Sequence, residues 1–197
     1  MDSLHTERMW LPMPNPASKL TTLDMVYIAL FAVLIAICAW ISIPSTVPFT
    51  LQTFAVLCTM GLLGGRRSVL AVTVYLLLGM VGIPVFSGFR GGLGMLLGVT
   101  GGYLVGFLVA ALCYWLITAW LGNRYWVRIV GMIAGLILCY VFGTAWFMIA
   151  YAGSTGPVGL STALGWCVVP FLIPEAIKTA LAIFVVRVVP QRVKAFR

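Results

Sequence analysis

Apolar and polar positions alternate along the chain in long blocks, with six apolar segments separated by short stretches rich in charge, glycine or proline. A helix needs about 20 predominantly apolar residues to cross the hydrocarbon core of a bilayer. The pattern predicts six membrane-spanning helices, at residues 22–43, 49–63, 68–85, 93–121, 127–151 and within 160–189. The second is short and would need tilt or a thinned bilayer. We therefore expect an all-α integral membrane protein.

Composition supports this class, because 62% hydrophobic and 8% charged residues leave too little polar surface to cover a soluble globule of 197 residues. Residues 1–20 carry mixed charge and three prolines, and they lack the apolar stretch of a secretory signal peptide. We expect a short disordered cytoplasmic tail at 1–20 and one six-helix membrane domain at 21–197. The five cysteines all lie in apolar segments, which predicts small core residues rather than metal ligands or disulfides.

Positive charge predicts the orientation, since Lys and Arg accumulate in short cytoplasmic loops. With a cytoplasmic N-terminus, the cytoplasmic segments, including the helix ends on that side, hold Arg8, Lys19, Arg66, Arg67, Arg124, Arg128, Arg187, Arg192, Lys194 and Arg197. The predicted external loops hold only Arg90, so both termini are expected to be cytoplasmic. The net charge of +8 then follows from topology. No soluble domain remains that could present a basic face to nucleic acid.

Glu175 and Lys178 stand three residues apart in the apolar run PFLIPEAIKTALAIFVV. Ionisable side chains at membrane depth cost several kcal/mol unless compensated, and by default they mark a substrate or ion site. The two residues also lie on one helix face, where they could pair only with each other. A ligand site and a structural ion pair are both consistent with the sequence, and they can coexist.

Proline and glycine leave two local questions open. Pro170 and Pro174 fit either a helix that begins near Pro174, with residues 160–169 as a separate segment, or a kink in one continuous helix. Arg90 lies in the glycine-rich connection IPVFSGFRGGLGMLLG, which fits either a loop over a pocket or an exposed loop near the headgroups. The aromatic residues Phe86 and Phe89 favour the pocket.

Other chemistries lack their usual residues. The single histidine is His5 in the tail, no phosphate-binding GxxxxGK[ST] loop occurs, and no metal site is predicted. Small residues spaced four apart, Gly61 with Gly65, Gly102 with Gly106 and Gly131 with Gly135, predict close helix packing inside the protein. The face formed by Ala29, Ala32 and Ala36 is the preferred contact for an external partner.

Three ordered motifs resemble the BioY family, the biotin-binding S components of energy-coupling factor (ECF) transporters. They are VPFTLQTFAVL, GIPVFSGFRGGLGMLLGVTGGYLVGF and PFLIPEAIKTALA. The resemblance covers nearly everything after Thr21. The chain departs from the family pattern in having Glu175 where aspartate is usual and GVTGGYL where GPTGGYL is common.

The resemblance implies a prokaryotic plasma-membrane subunit that captures biotin outside the cell and docks on the transmembrane subunit EcfT with two EcfA-type ATPases. Such a subunit is not an enzyme and needs no cofactor, because only the partners use ATP. The alanine motif, Ala32 and Ala36 with Ala29, would contact EcfT. The implied biotin site comprises Phe86, Arg90, Gly91, Gly92, Thr100, Gly102, Tyr103, Glu175 and Lys178.

Within that site, Glu175 could accept the ureido N–H groups of biotin, while Lys178 or Arg90 could hold its carboxylate. The thiophane ring would lie against Phe86 or Tyr103. Two other functions remain open: an S component for a different vitamin, and an ion-coupled carrier or membrane enzyme that acts alone and uses Glu175 as a proton site.

Overall fold

The structure, a computed structural model, describes residues 20–44 and 47–193. The tail predicted at 1–20 lies outside the described residues except for Leu20, and so do Lys194 and Arg197. The described chain is mostly helical. Its elements are α1 (Thr22–Trp40), β1 (Ser42–Ile43), β2 (Phe49–Thr50), α2 (Gln52–Leu63), α3 (Gly65–Met80), α4 (Leu93–Leu97), α5 (Gly101–Leu121), α6 (Tyr125–Ser154), α7 (Leu160–Cys167), a 3-10 turn (Val169–Phe171) and α8 (Leu172–Val193).

Four helical segments of the described chain are long and apolar enough to cross a membrane. They are Thr22–Trp40, Gly101–Leu121, Tyr125–Gly153 and Leu160–Val189, the last of which contains α7, the 3-10 turn and most of α8. The helices α2 and α3 have 12 and 16 residues and do not reach this length. The structure therefore supports a helical membrane protein with four candidate spans, and the six-span count stays a prediction.

For the first two predicted spans, 22–43 and 49–63, the predicted end of the first and start of the second are wrong. The helix α1 ends at Trp40, and Ser42 and Ile43 pair antiparallel with Thr50 and Phe49. Pro44 and Pro48 explain the difference, because proline breaks a helix and pushes the preceding residue towards extended backbone. The helix α2 therefore begins only at Gln52.

The third and fourth predicted spans, 68–85 and 93–121, also differ from the structure. The helix α3 begins at Gly65 because Gly64, at a φ of 81°, is the single residue that separates it from α2. It ends at Met80, before Gly82 at a φ of 102°. Span four is interrupted at Gly98, whose extended backbone separates α4 from α5.

The fifth predicted span, 127–151, is confirmed as a helix and is longer, because α6 already begins at Tyr125. Arg128 lies in the first turn of α6, inside the predicted span. Its buried guanidinium donates to the carbonyl of Gly61. That carbonyl is one of the last four of α2, which have no partner inside their own helix, so Arg128 caps the end of α2.

The sixth segment consists of two separate helices. The structure therefore agrees with the interpretation in which the prolines separate a short segment from a second helix, and not with a kink in one continuous helix. The helix α7 ends at Cys167, Val168 leaves helical geometry, and a 3-10 turn containing Pro170 leads into α8. The helix α8 begins at Leu172, so Pro174 and Glu175 both lie in its first turn. The break places a carboxylate at the end of the helix that favours negative charge.

The main apolar core joins α1, α2, α3, α5, α6 and α8, and its members include Ile35, Met60, Tyr75, Tyr114, Met132 and Val186. The predicted close packing of glycines is confirmed. A side chain at Gly61 would collide with Val186, one at Gly102 with Trp146 and one at Gly135 with Ala110. Their partners in the predicted pairs are also closely packed: Gly65 on Trp115, Gly106 on Cys139 and Gly131 on Tyr114. All five cysteines are free, and Cys38, Cys58, Cys139 and Cys167 are buried as predicted.

The predicted alanine face does not form one exposed surface. Ala29 is exposed, whereas Ala32 and Ala36 are 1% and 5% exposed and belong to the core beside α2 and α3. At the start of the same helix, Asp24 Oδ1 forms an ion pair with Arg67 Nη2 at 2.6 Å. This contact connects α1 to the first turn of α3. The assignment of the three alanines to a partner contact stays a prediction.

Candidate functional site

The site is built around an ion pair in the first two turns of α8. Glu175 and Lys178 are 6% and 4% exposed, and the Lys178 ammonium donates to Glu175 Oε1. The interpretation of the two residues as paired neighbours on one helix face is confirmed. The pairing of opposite charges offsets the free-energy cost of removing the two groups from water.

Three acceptors surround the Lys178 ammonium. Besides Glu175 Oε1, it donates to the Thr50 carbonyl at 2.9 Å and to Thr53 Oγ1 at 2.6 Å. Its Nζ also lies 4.7 Å from the centre of the Phe49 ring. An ammonium group has three donor hydrogens, so the contacts from α8, β2 and α2 use its full donor capacity.

Thr53 connects the two charges from the opposite helix. Its hydroxyl accepts from Lys178 and donates to Glu175 Oε1 at 3.0 Å. Both hydrogen bonds to Glu175 therefore fall on the same oxygen. The other oxygen, Oε2, is buried and has no hydrogen-bond partner within the described part of the chain.

A second polar contact braces the start of α2. Gln52 is buried, and its side-chain amide donates to the Tyr75 hydroxyl of α3 at 2.8 Å. Its backbone N–H donates to Thr50 Oγ1 at 3.2 Å, which satisfies one of the unpaired donors at a helix start. The first turn of α2 is thus held in place beside the ion pair.

These groups line a cavity of about 70 Å³ between β2, α2, α5, α6 and α8. Five of the predicted biotin-site residues line it: Phe86, Thr100, Tyr103, Glu175 and Lys178. Much of the remaining wall is apolar and aromatic, and it includes Phe107, Tyr140 and Phe171. The cavity is smaller than typical small-molecule sites of about 300–1,000 Å³, so it must widen to hold a ligand of that size.

Phe86 is fixed from two sides. Its ring is fully buried, meets Tyr75 edge to face with centroids 5.5 Å apart, and fills the space that a side chain at Gly79 would occupy. Its backbone forms an isolated antiparallel bridge with Arg90, with N–H to carbonyl distances of 2.9 and 3.3 Å. The bridge holds the 81–92 loop against the cavity.

The other four predicted site residues do not line this cavity. Arg90 has an exposed side chain. Gly91 packs against the carbonyls of Gly82 and Ile83, and the Gly92 N–H donates to the Gly79 carbonyl at 2.6 Å. Gly102 directly precedes the cavity residue Tyr103, but it packs on Trp146.

The sequence interpretation missed the residues that α2 and β2 contribute. Thr50, Gln52 and Thr53 all line the cavity, and they stand in the quoted motif VPFTLQTFAVL. Their signal was a cluster of polar side chains in an otherwise apolar run. Among the described residues, no three His, Cys, Asp or Glu side chains come together as metal ligands.

The site can therefore offer one buried carboxylate oxygen to a hydrogen-bond donor, at the end of an apolar and aromatic cavity. Tyr103 adds a hydroxyl that shares a hydrogen bond of 2.9 Å with Thr144. No nucleophile and base lie together among the contacts described above, so the arrangement suits recognition of a partly apolar ligand.

Comparison with known proteins gives concordant results. The family model for the BioY family matches residues 13–195. The probable biotin transporter BioY of Pyrococcus horikoshii is 36% identical over 159 residues, which are 80% of this chain and 90% of the relative. Biotin transporter BioY2 of Lactococcus lactis subsp. cremoris is 37% identical over 174 residues, or 83% of this chain and 87% of the relative.

A solved structure shares the fold. The S-component for biotin from an ECF-type ABC transporter matches with a TM-score of 0.74 at 25% identity, covering 86% of this chain and 93% of that one. The family match extends from before α1 to beyond α8, and it confirms the resemblance seen in the three motifs. The chain belongs to the BioY family.

Proposed function

We propose that this chain binds biotin in the α2–α8 cavity and serves as the S component of an ECF-type transporter in a prokaryotic plasma membrane. The names of its relatives and of the matching solved structure support biotin as the ligand and transport as the process. The observation that carries the proposal is Glu175, buried in the cavity with one oxygen held by Lys178 and Thr53 and the other without a partner.

The ureido ring of biotin supplies the missing donor. One of its N–H groups would donate to Glu175 Oε2, which is a charge-assisted hydrogen bond in a site of low dielectric constant. Lys178 supplies the counter-charge of the carboxylate and fixes its orientation through Oε1. The thiophane ring would then lie against the aromatic wall, near Phe86 or Tyr103.

The donor count of Lys178 bears on which cation holds the valerate carboxylate. Because its three hydrogens already serve Thr50, Thr53 and Glu175, Lys178 could reach a second carboxylate only by giving up one of these contacts. Biotin also separates its ureido and carboxylate groups by a whole alkyl chain. We therefore assign the carboxylate to Arg90, whose backbone is bridged to the cavity residue Phe86 and whose guanidinium is exposed.

The remaining predicted site residues shape the cavity in this proposal. Gly91 and Gly92 let the loop pack against the end of α3, and Gly102 lets α5 approach α6 at Trp146. Thr100 precedes the first turn of α5 and lines the cavity. The 81–92 loop is the segment that would move to enlarge the cavity around biotin.

The membrane arrangement and partners complete the proposal. The helices α2 and α3 would add two short spans to the four long ones, with both termini cytoplasmic. The chain would dock on EcfT, with Ala29, Ala32 and Ala36 at or beneath the contact, and two EcfA-type ATPases would hydrolyse the ATP. Terminal tags accessible only from the cytoplasmic side of intact cells are the expected topology result.

Equilibrium dialysis of the purified chain against radiolabelled biotin, thiamine and riboflavin tests the ligand. We expect saturable biotin binding that Glu175→Gln lowers at least tenfold, because the neutral amide replaces the charged acceptor. Leu181→Ala, an exposed change on the same helix, should bind like the unaltered chain. Preferential binding of thiamine or riboflavin would overturn biotin as the ligand, and pH-driven transport by this chain alone would overturn the S-component role.

A further inference from the structure

A second, larger cavity lies on the membrane-facing side of the protein and is not used by the proposed function. It has a volume of about 820 Å³ and runs between α6 on one side and α7 and α8 on the other. Ile137 and Val141 line it from α6, Ala176 and Ala180 from α8, and Leu164 from α7. We name this cavity the α6–α8 groove.

The depth of the groove comes from small side chains. Ala176 and Ala180 are four residues apart on α8 and therefore lie on the same helix face. Neither reaches far enough to fill the space that Ile137 and Val141 border on the other helix. The volume lies within the range of about 300–1,000 Å³ that is typical of sites for small molecules.

The rim of the groove is exposed and apolar. Ile137 and Val141 are 57% and 61% exposed, and Leu172 is 59% exposed. The helices that bear them belong to two of the candidate membrane spans, Tyr125–Gly153 and Leu160–Val189. In a bilayer, the medium at this rim is therefore hydrocarbon and not water.

The polar groups of the groove are too few for a water-filled space of this size. Four polar side chains line it, namely Tyr140, Thr144, Glu175 and Thr179. Thr144 shares a hydrogen bond with Tyr103, and Glu175 Oε1 is held by Lys178. Glu175 Oε2 and Thr179 Oγ1 are buried without a hydrogen-bond partner in the described part of the chain. Because an ordered water needs about two to four polar partners and takes up about 30 Å³, these groups could hold about one water, far less than fills a cavity of about 820 Å³. The rest of the space, if empty, would forfeit the dispersion contacts of its walls.

We propose that the α6–α8 groove binds one hydrocarbon chain of a bilayer lipid. The hydrocarbon chain of the lipid lies along Ala176 and Ala180 and makes the contacts for which these alanine side chains are too short. The groove and the biotin cavity share Tyr140, Phe171 and Glu175 in their walls. The lipid chain thus covers the membrane-facing side of the wall that contains the buried carboxylate.

Photolabelling tests the site directly. The full chain is reconstituted with phosphatidylcholine that carries a diazirine in one acyl chain, irradiated and mapped by mass spectrometry. We expect several-fold stronger labelling of Ile137, Val141 and Ala180 than of Leu30 and Val33 on α1, which are 58% and 52% exposed and lie outside the groove. Equal labelling of the two surfaces would overturn the proposal.

A pair of matched variants tests occupancy. Ala180→Trp fills the groove and should reduce labelling there to the level of α1, whereas Leu181→Trp, on an exposed neighbouring face, should leave it unchanged. Unchanged groove labelling in Ala180→Trp, or cross-links from the groove to a second copy of the chain, would also count against a lipid chain. The labelling requires no biotin, so its outcome is independent of the proposed function.

Discussion

The Thr53 hydroxyl lies 2.6 Å from the ammonium nitrogen of Lys178, although 125 positions separate the two residues along the chain. The contact joins the first turn of α2 to α8 and makes Thr53 the third member of a buried charged cluster. A hydroxyl that both accepts and donates is the smallest group that can fill this position. The cluster therefore depends on α2 as much as on the ion pair itself.

Replacing Thr53 by Val tests this dependence. The change keeps the shape but leaves Lys178 with a buried unpaired donor, and we expect a loss of stability of about 1–3 kcal/mol. Biotin affinity should fall with it, because Glu175 Oε1 loses one of its two anchors. Thr53→Ser, which retains the hydroxyl, should stay close to the unaltered chain in both properties. Binding by Thr53→Val at full affinity would remove Thr53 from the site.

Removing one partner of the ion pair should be more costly. In Lys178→Met, Glu175 remains buried without its counter-charge, and we expect a destabilisation of about 3–5 kcal/mol. Thermal unfolding in detergent can be followed with a thiol-reactive dye, since four of the five free cysteines are buried in the folded chain.

The double variant Glu175→Gln, Lys178→Met separates stability from recognition. It contains no uncompensated charge, so most of the lost stability should return, while biotin binding should not. If the double variant instead bound biotin normally, the ion pair would be purely structural.

Arg90 is tested best by a change in the ligand. Arg90→Ala should weaken biotin binding about fivefold, as expected for an exposed ionic contact. It should leave the binding of biotin amide, which lacks the negative charge, nearly unchanged. The control is Arg187→Ala, which removes an exposed cation on α8. Equal losses for biotin and its amide would contradict the assignment of the carboxylate to Arg90.

Gly79 supports the cavity indirectly, because the Phe86 ring occupies the space beside it. In Gly79→Ala the ring must move, and we expect an overpacking cost of about 1–3 kcal/mol together with weaker biotin binding. Gly94→Ala is the matched control, since a methyl group there meets nothing within 4 Å. Similar binding by both variants would show that Phe86 does not shape the site.

Some parts of this site are accessible from sequence and others are not, for physical reasons. Glu175 and Lys178 stand out because charge in an apolar run demands an explanation, and their spacing already predicts that they can pair. Thr53 stands out only together with Thr50 and Gln52, because a single threonine in a membrane helix is ordinary and its partner Glu175 is 122 positions away.

The boundaries of the helices follow the same division. The long helix α6 is predicted well, because its apolar run is long and contains no proline. The pairing of β1 with β2 involves two residues on each strand, too few for a period of two to be recognised. The break at Gly98 depends on backbone geometry, in a run whose composition also fits an uninterrupted helix.

Gly64 gives the described fold a mechanical property. One residue joins α2 to α3, so neither helix can slide along its axis without displacing the other. The N-terminal end of α2 contacts the buried charges through Thr53. Beyond Gly64, Arg67 in the first turn of α3 forms an ion pair with Asp24 of α1. Any shift of α2 along its axis would therefore carry α3 with it and, through the Arg67–Asp24 ion pair, act on the start of α1.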